Sequence, residues 1–213
     1  MVEAACLDLL SLSSLHLALH IPDGFLSLPV SLFGWIIAIG LIAVSLNRVQ
    51  SEYQERTVPL MGVCAAFIFA AQMINFPIPG GTSGHLVGGT LAGILLGPWA
   101  GSLVVSVVFI VQAVIFQDGG LTVLGANIFN MGLIGTAVAA WASVVVAAIF
   151  TAFELALSGT VPLGVALAAM TFWHVLIGIG EAIITVVVVS FVWQTRPDLF
   201  YNPPRKDWAS ASG

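Results

Sequence analysis

The sequence predicts an all-α, polytopic transmembrane helix bundle, and three observations predict it. Hydrophobic residues make up 59% of the 213-residue chain and charged residues only 7%, where a soluble domain carries about a quarter charged. The apolar residues gather in runs that reach the roughly 20 residues one crossing needs, leaving room for about five to seven crossings. The five basic residues occupy two places, Arg48 and Arg56 in one loop and Arg196, Arg205 and Lys206 in the C-terminal tail. The positive-inside rule assigns both segments to the cytoplasm. A water-soluble fold is excluded, and so is a basic nucleic-acid surface. Cys6 and Cys64 match no paired zinc spacing and read as small buried hydrophobes.

The first span runs from Leu28 to Leu46, opened by Pro29 and closed where Asn47 and Arg48 begin the polar stretch NRVQSEYQERT, whose charges forbid burial in hydrocarbon. The second runs from Val58 to Phe76 and is stopped by Pro77 and Pro79. The glycine-rich segment that follows is irregular backbone, which survives at membrane depth only inside protein or against a water-filled cavity. Gly89, Gly93, Gly97 and Gly101 recur every fourth residue, a spacing that gives a helix a smooth packing face. Gly97-Pro98 divides a third span, Leu86 to Leu96, from a fourth, Trp99 to Phe116, which ends at the polar turn Gln117 to Gly120. Two longer apolar runs follow, Val123 to Phe153 and Val161 to Trp193, each long enough to tilt, bend or hide a re-entrant break.

About six spans result, and their parity conflicts with the charges: one crossing per run leaves the basic tail outside. Either a crossing is missing or one long run folds back. Residues 19–195 form a single transmembrane domain, preceded by an extension over 1–18 and followed by a short cytoplasmic tail over 196–213.

Four histidines occur, His16, His20, His85 and His174. His20 lies in LHIPDGF, where Pro22, Asp23 and Gly24 force a turn before the first span, and His85 lies in the glycine-rich loop. Both fall on the non-cytoplasmic side. Two readings stay open for them: ordinary hydrogen bonding, or convergence on one metal ion through neutral imidazole nitrogens. Gln72, Asn75, Gln112, Asn127, Asn130, His174 and Glu181 are polar residues inside apolar runs and are expected to face one another within the bundle, because burying them unpaired is costly. His174 and Glu181 are two helical turns apart and share a face, as supporting partners or a proton pair. No phosphate-binding loop, H-E-x-x-H or G-x-S-x-G motif occurs, so ATP-driven movement of a solute requires another chain to hydrolyse the ATP, and the chain does not read as an enzyme. An intramembrane hydrolase using His174 and Glu181 lacks a nucleophile motif and a third metal ligand.

The blocks LHIPDGFLS (19–27), NFPIPGGTSGHLVGG (75–89), LGPWAG (96–101), QDGGLTVLGANIFNMG (117–132) and HVLIGIGEAIIT (174–185) closely resemble the CbiM/NikM family, the substrate-binding membrane components of energy-coupling-factor (ECF) transporters for cobalt and nickel. The resemblance implies capture of Co²⁺ or Ni²⁺ as transported substrate, with no organic cofactor. It implies a transmembrane coupling subunit (CbiQ/NikQ-like), two ATPase subunits (CbiO/NikO-like) and a possible small accessory membrane subunit (CbiN/NikN-like) as partners. Family members begin Met-His, and the terminal amine, the histidine amide and imidazole nitrogens and a loop histidine bind the metal in a near-planar set. That set falls here on Leu19, His20 and His85, with Asn75, Ser83, His174 and Glu181 as supporting residues. Nitrogen donors in a tetragonal array suit Ni²⁺ and accept Co²⁺ while excluding Mg²⁺ and Ca²⁺.

Two departures from the family pattern stand out. Residue 19 is leucine and eighteen residues precede it, without the basic start or cleavage site of a secretory signal; the expectation is that translation begins at position 19, from a UUG or CUG codon read as methionine. The family also places two helices and a loop where this chain has the single run Val123 to Phe153, which points to an internal deletion. A non-transporting, metal-binding remnant is therefore the competing reading.

Overall fold

The computed structural model describes residues 20–52, 57–79, 83–137 and 140–201. It is a multi-pass helical membrane protein. Helix α1 is Leu28–Glu52 and α2 is Thr57–Gln72. A short antiparallel ribbon follows, β1 (Asn75–Pro77) against β2 (Ser83–His85), with Asn75 opposite His85 and Pro77 opposite Ser83. Helix α3 is Gly89–Ile115. A helical segment then runs through α4 (Leu124–Asn127), a π-helical stretch (Ile128–Ile134) and α5 (Gly135–Ala137), followed by α6 (Ala140–Leu157) and α7 (Leu163–Thr195). Three of these helices, α1, α3 and α7, are long and apolar enough to cross a membrane.

The first span extends past Leu46 to Glu52, because its polar end continues as helix beyond the apolar part. The second stops at Gln72 rather than Phe76. Pro77 and Pro79 cannot donate to a helix and bias the residues before them toward extended backbone, and the chain pairs as β1 instead. The third begins at Gly89 rather than Leu86, since Gly88 takes φ +72° and the backbone ahead of it bonds to other elements.

Helix α3 is the centre of the bundle. Gly97 breaks it with φ +79° and ψ 169°, a conformation glycine adopts without steric cost, and Pro98 restarts the helix. The break is a reversal, because a Cβ on Gly101 would lie 3.0 Å from the backbone of Ala92, residues that one continuous helix would hold about 13 Å apart. The glycine spacing works as expected for Gly89 and Gly93, whose Cβ positions fall 2.7 Å from the backbone of Gly135 and Thr136. Phe109, Val105 and Leu96 of α3 pack with Ile68 of α2 and Ile128 of the π-helical stretch in the main core, where Cys64 is also buried. Outward-facing Phe33, Ile36, Phe172, Ile183 and Phe191 are exposed, as a lipid-facing surface requires.

The run Val123 to Phe153 folds back. Asn130 Nδ2 donates to Thr151 Oγ1 at 3.1 Å and to Glu154 Oε2 at 2.8 Å, so α6 returns antiparallel to the segment from Leu124 to Ala137. This resolves the parity conflict without inverting α7. The two ends of the bundle are marked by contacts: the Arg48 guanidinium lies 5.9 Å from the Trp99 ring centroid, at the Gly97 reversal, while the far end of α3 meets His20. Arg196, at the end of α7, is held by Asp198 at 2.8 Å and lies away from the histidines. Residues 1–19, Arg56, Arg205 and Lys206 lie outside the described residues.

Close approach of α1 to α4 rests on Gly125, where a Cβ would lie 2.4 Å from Trp35 N. Gly125→Val is expected to lower the thermal midpoint of the solubilised protein, by an overpacking cost of about 1–3 kcal/mol. Gly40→Ala, at a helical glycine with nothing within 4 Å, is expected to leave it unchanged or raise it.

Candidate metal site

Two fixed segments bring the histidines together. The first, 20–23, is fastened to the loop after α3 and to α4. Gly120 N donates to Ile21 O at 3.0 Å, and the Asn127 side chain pairs with the Ile21 peptide, accepting from its N–H at 3.2 Å and donating to its carbonyl at 3.3 Å. Asp23 accepts from Leu121 N at 3.1 Å and Thr122 N at 2.8 Å. Burial pushes the Asp23 carboxyl up, but the Thr122 hydroxyl and the two amides outweigh it and hold the group below its ordinary value. Gly119 and Gly120 allow this closeness: a Cβ on either would strike His20 or Asp23.

The second segment is β2 and the three residues after it. Glu181 of α7 accepts from Val87 N through Oε2 and from Gly88 N through Oε1, each at 2.7 Å. Gln72 Nε2 donates to Val87 O at 2.7 Å. Between these anchors His85 Nδ1 lies 2.8 Å from Leu86 O, and a carbonyl only accepts, so Nδ1 carries the proton.

His20 and His85 are 2% and 7% exposed, and His20 Nδ1 lies 3.2 Å from His85 Nε2. His20 Nε2 lies 2.8 Å from Gln112 Oε1, and that amide oxygen also only accepts, so Nε2 carries the His20 proton. In neutral rings the two nitrogens that face each other are then the unprotonated ones. Phe109 covers the His20 ring edge-on at 4.6 Å between centroids.

Beneath the pair lies a cavity of about 30 Å³, lined among others by Asn127, Asn130, Met131, Met170 and His174, with room for a small occupant. His174 Nδ1 donates to Met170 O at 2.7 Å. Asn130 Oδ1 is a buried acceptor with no hydrogen-bond partner among the described residues.

The expected site residues separate into groups. His20 and His85 meet. Ser83 and His174 line the cavity beside them, and Asn75 stands across the ribbon from His85. Glu181 bonds to backbone rather than to His174, so no proton pair between the two forms. Leu19 lies outside the described residues. Gln72 and Gln112 were legible only as polar residues in apolar runs; the direct link of Gln112 to His20 joins positions 92 residues apart and has no local signal. Asp23 and Asn127 likewise act through contacts about a hundred residues distant.

The chain matches the family model described as "Cobalt uptake substrate-specific transmembrane region" over residues 20–140 and 133–199. A putative fused nickel transport protein of Archaeoglobus fulgidus is 42% identical over 202 residues, covering 85% of this chain and 68% of that one. A putative metal transport protein of Haloquadratum walsbyi is 38% identical over 205 residues, covering 86% and 94%. A crystal structure of a truncated transition metal transporter superposes with a TM-score of 0.79 at 33% identity, covering 82% of this chain and 98% of that one.

The Asp23 strap carries a pH dependence. A carboxyl held low in the folded state adds stability that is present above its unfolded value and lost as pH falls through the folded one. Thermal unfolding between neutral and strongly acidic pH is expected to show the wild type losing this increment in that acidic window, and Asp23→Asn lacking it at every pH. Parallel curves for the two proteins would count against the strap.

Proposed function

The chain belongs to the CbiM family of cobalt-uptake transmembrane regions, a family of metal transporters rather than enzymes, and from that membership we propose that it captures Co²⁺ or Ni²⁺ at its histidine end as the substrate-binding component of an ECF importer. Its partners are a transmembrane coupling subunit and two ATPase subunits, with a small accessory membrane subunit where the system uses one. The histidine end faces outward and the basic tail inward.

The observation that carries this reading is the 3.2 Å approach of His20 Nδ1 and His85 Nε2. Two nitrogens each about 2 Å from a metal, at 90–109° to one another, lie about 2.8–3.3 Å apart. Each ring's other nitrogen already donates its proton, so a hydrogen bond between the two rings requires an extra proton and one buried imidazolium. A divalent ion satisfies both electron pairs at once. His20 Nδ1 is also the ring nitrogen that closes a chelate ring with the residue's own amide nitrogen. In a chain that begins at residue 19, the terminal amine adds the next donor along, and four nitrogens complete a tetragonal set suited to Ni²⁺ and Co²⁺. The family match begins at residue 20, next to that proposed start. Ser83, His174 and Asn75 shape the surroundings, and Glu181 holds the His85 segment in place.

His85→Ala is expected to weaken Ni²⁺ and Co²⁺ binding at least 100-fold in titration calorimetry of the purified protein, with helicity unchanged; wild-type affinity in the variant would defeat the assignment. Intact mass of protein expressed from its own start region is expected to show a terminus at residue 19. A Met1 terminus with full metal affinity would remove the amine from the donor set.

A further inference from the structure

Gln72 and Gln112 are fully buried, on α2 and α3, and their side-chain amides form a chain with one possible direction. Val87 O can only accept, so the Gln72 group that meets it at 2.7 Å is Nε2. Gln72 Oε1 then accepts from Gln112 Nε2 at 3.0 Å, which leaves Gln112 Oε1 to meet His20 Nε2 at 2.8 Å. Neither amide can turn over without setting like groups against each other. The direction originates in the Val87 peptide, which Glu181 holds from its other side.

We propose that Gln112, oriented by Gln72, is a positioning residue that keeps the metal site open by fixing the His20 tautomer. The competing arrangement is internal. If His20 carried its proton on Nδ1, it would donate to His85 Nε2 across the same 3.2 Å gap, and both ligand nitrogens would be consumed in a histidine–histidine hydrogen bond. That arrangement leaves His20 Nε2 as an acceptor facing Gln112 Oε1, also an acceptor, and two such groups at 2.8 Å repel. The relay thus penalises the closed pair and favours the one with both nitrogens directed at an incoming cation. It acts as the outer partner of a metal-bound histidine does, setting which nitrogen is available, although its acceptor is a neutral amide. This rests on the reading that His20 and His85 bind the cation.

The test uses full-length, detergent-solubilised, metal-free protein with ¹⁵N-labelled histidine, the His20 signals being assigned by their loss in His20→Gln. Nitrogen chemical shifts report which ring nitrogen is protonated. Wild-type His20 is expected as the Nε2–H tautomer, and Gln112→Leu is expected to convert it to Nδ1–H. Titration of the same samples with Ni²⁺ is expected to show a roughly 10–100-fold loss of affinity in Gln112→Leu. Gln112→Glu, whose neutral carboxyl offers one acceptor and one donor in the same places, restores both the tautomer and the affinity. Gln72→Leu gives a smaller loss, because Gln112 keeps its oxygen but loses its orientation. Weaker binding with an unchanged His20 tautomer would mean a merely structural role and overturn the proposal, as would unchanged affinity. Should Gln112→Leu fail to fold, the Gln112→Glu and Gln72→Leu proteins carry the same comparison. A wild type that shows the Nε2–H tautomer yet binds no metal would defeat the functional reading alone.

Discussion

The histidine end depends on one constraint: irregular backbone inside an apolar bundle must have every polar group satisfied by the protein itself. Leu86, Val87 and Gly88 descend from the ribbon into the core, where only the Gly88 carbonyl joins a helix, accepting from Ala92 N, and Glu181, Gln72 and the His85 ring supply partners for the rest. The same bonds that make this segment tolerable also set the direction of the site. Satisfying Leu86 O fixes the His85 proton on Nδ1, and satisfying Val87 O fixes Gln72, hence Gln112, hence the His20 proton on Nε2. Backbone satisfaction and ligand orientation are one network. Glu181 therefore matters to the site without touching it, by holding two amide groups that would otherwise be buried and unmet.

The opposite strategy holds the rest of the bundle together. Lipid offers no hydrophobic drive for helices to associate, so contact area and close approach must do it. Glycine and alanine supply this where backbones meet, as at Gly34 against Ala126, Gly125 against Trp35 and Gly89 against Gly135. The hydroxyl bonds lie at the same contacts: Thr90 Oγ1 reaches Gly135 O at 3.0 Å and Ser102 Oγ reaches Gly132 O at 3.1 Å. Helix α3, buried along two thirds of its apolar window against 17% for α7, is the element these contacts surround.

Much of this was legible in the sequence. Hydropathy located the spans and Gly97-Pro98 the break, because those signals are local, and counting crossings from the basic loop put His20 and His85 on one side. The ribbon was missed because Pro77 and Pro79 announce the end of a helix but not the pairing of Asn75 with His85, which depends on residues further along. The polar residues within apolar runs were recognised as a network, yet their partners were not assignable: Glu181 could have faced His174 on its own helix, and instead reaches Val87 and Gly88. Helical periodicity names a face, and which neighbouring element meets that face is decided by packing.

Packing also decides the direction of α7. The two family matches overlap at 133–140, where α5 ends and α6 begins, and Gly135 there packs against Val87 and Gly89. Loss of one whole crossing would have run α7 in the opposite direction. Arg196 would then emerge at the histidine end of the bundle. Instead Asn130 bonds to Thr151 and Glu154, a contact between two antiparallel arms that lets α7 pass the His85 segment at Ile177 and Glu181 and carry Arg196 to the opposite end. Two arms of a hairpin, whatever their length, return the chain to the side it left, and that sets the direction of α7.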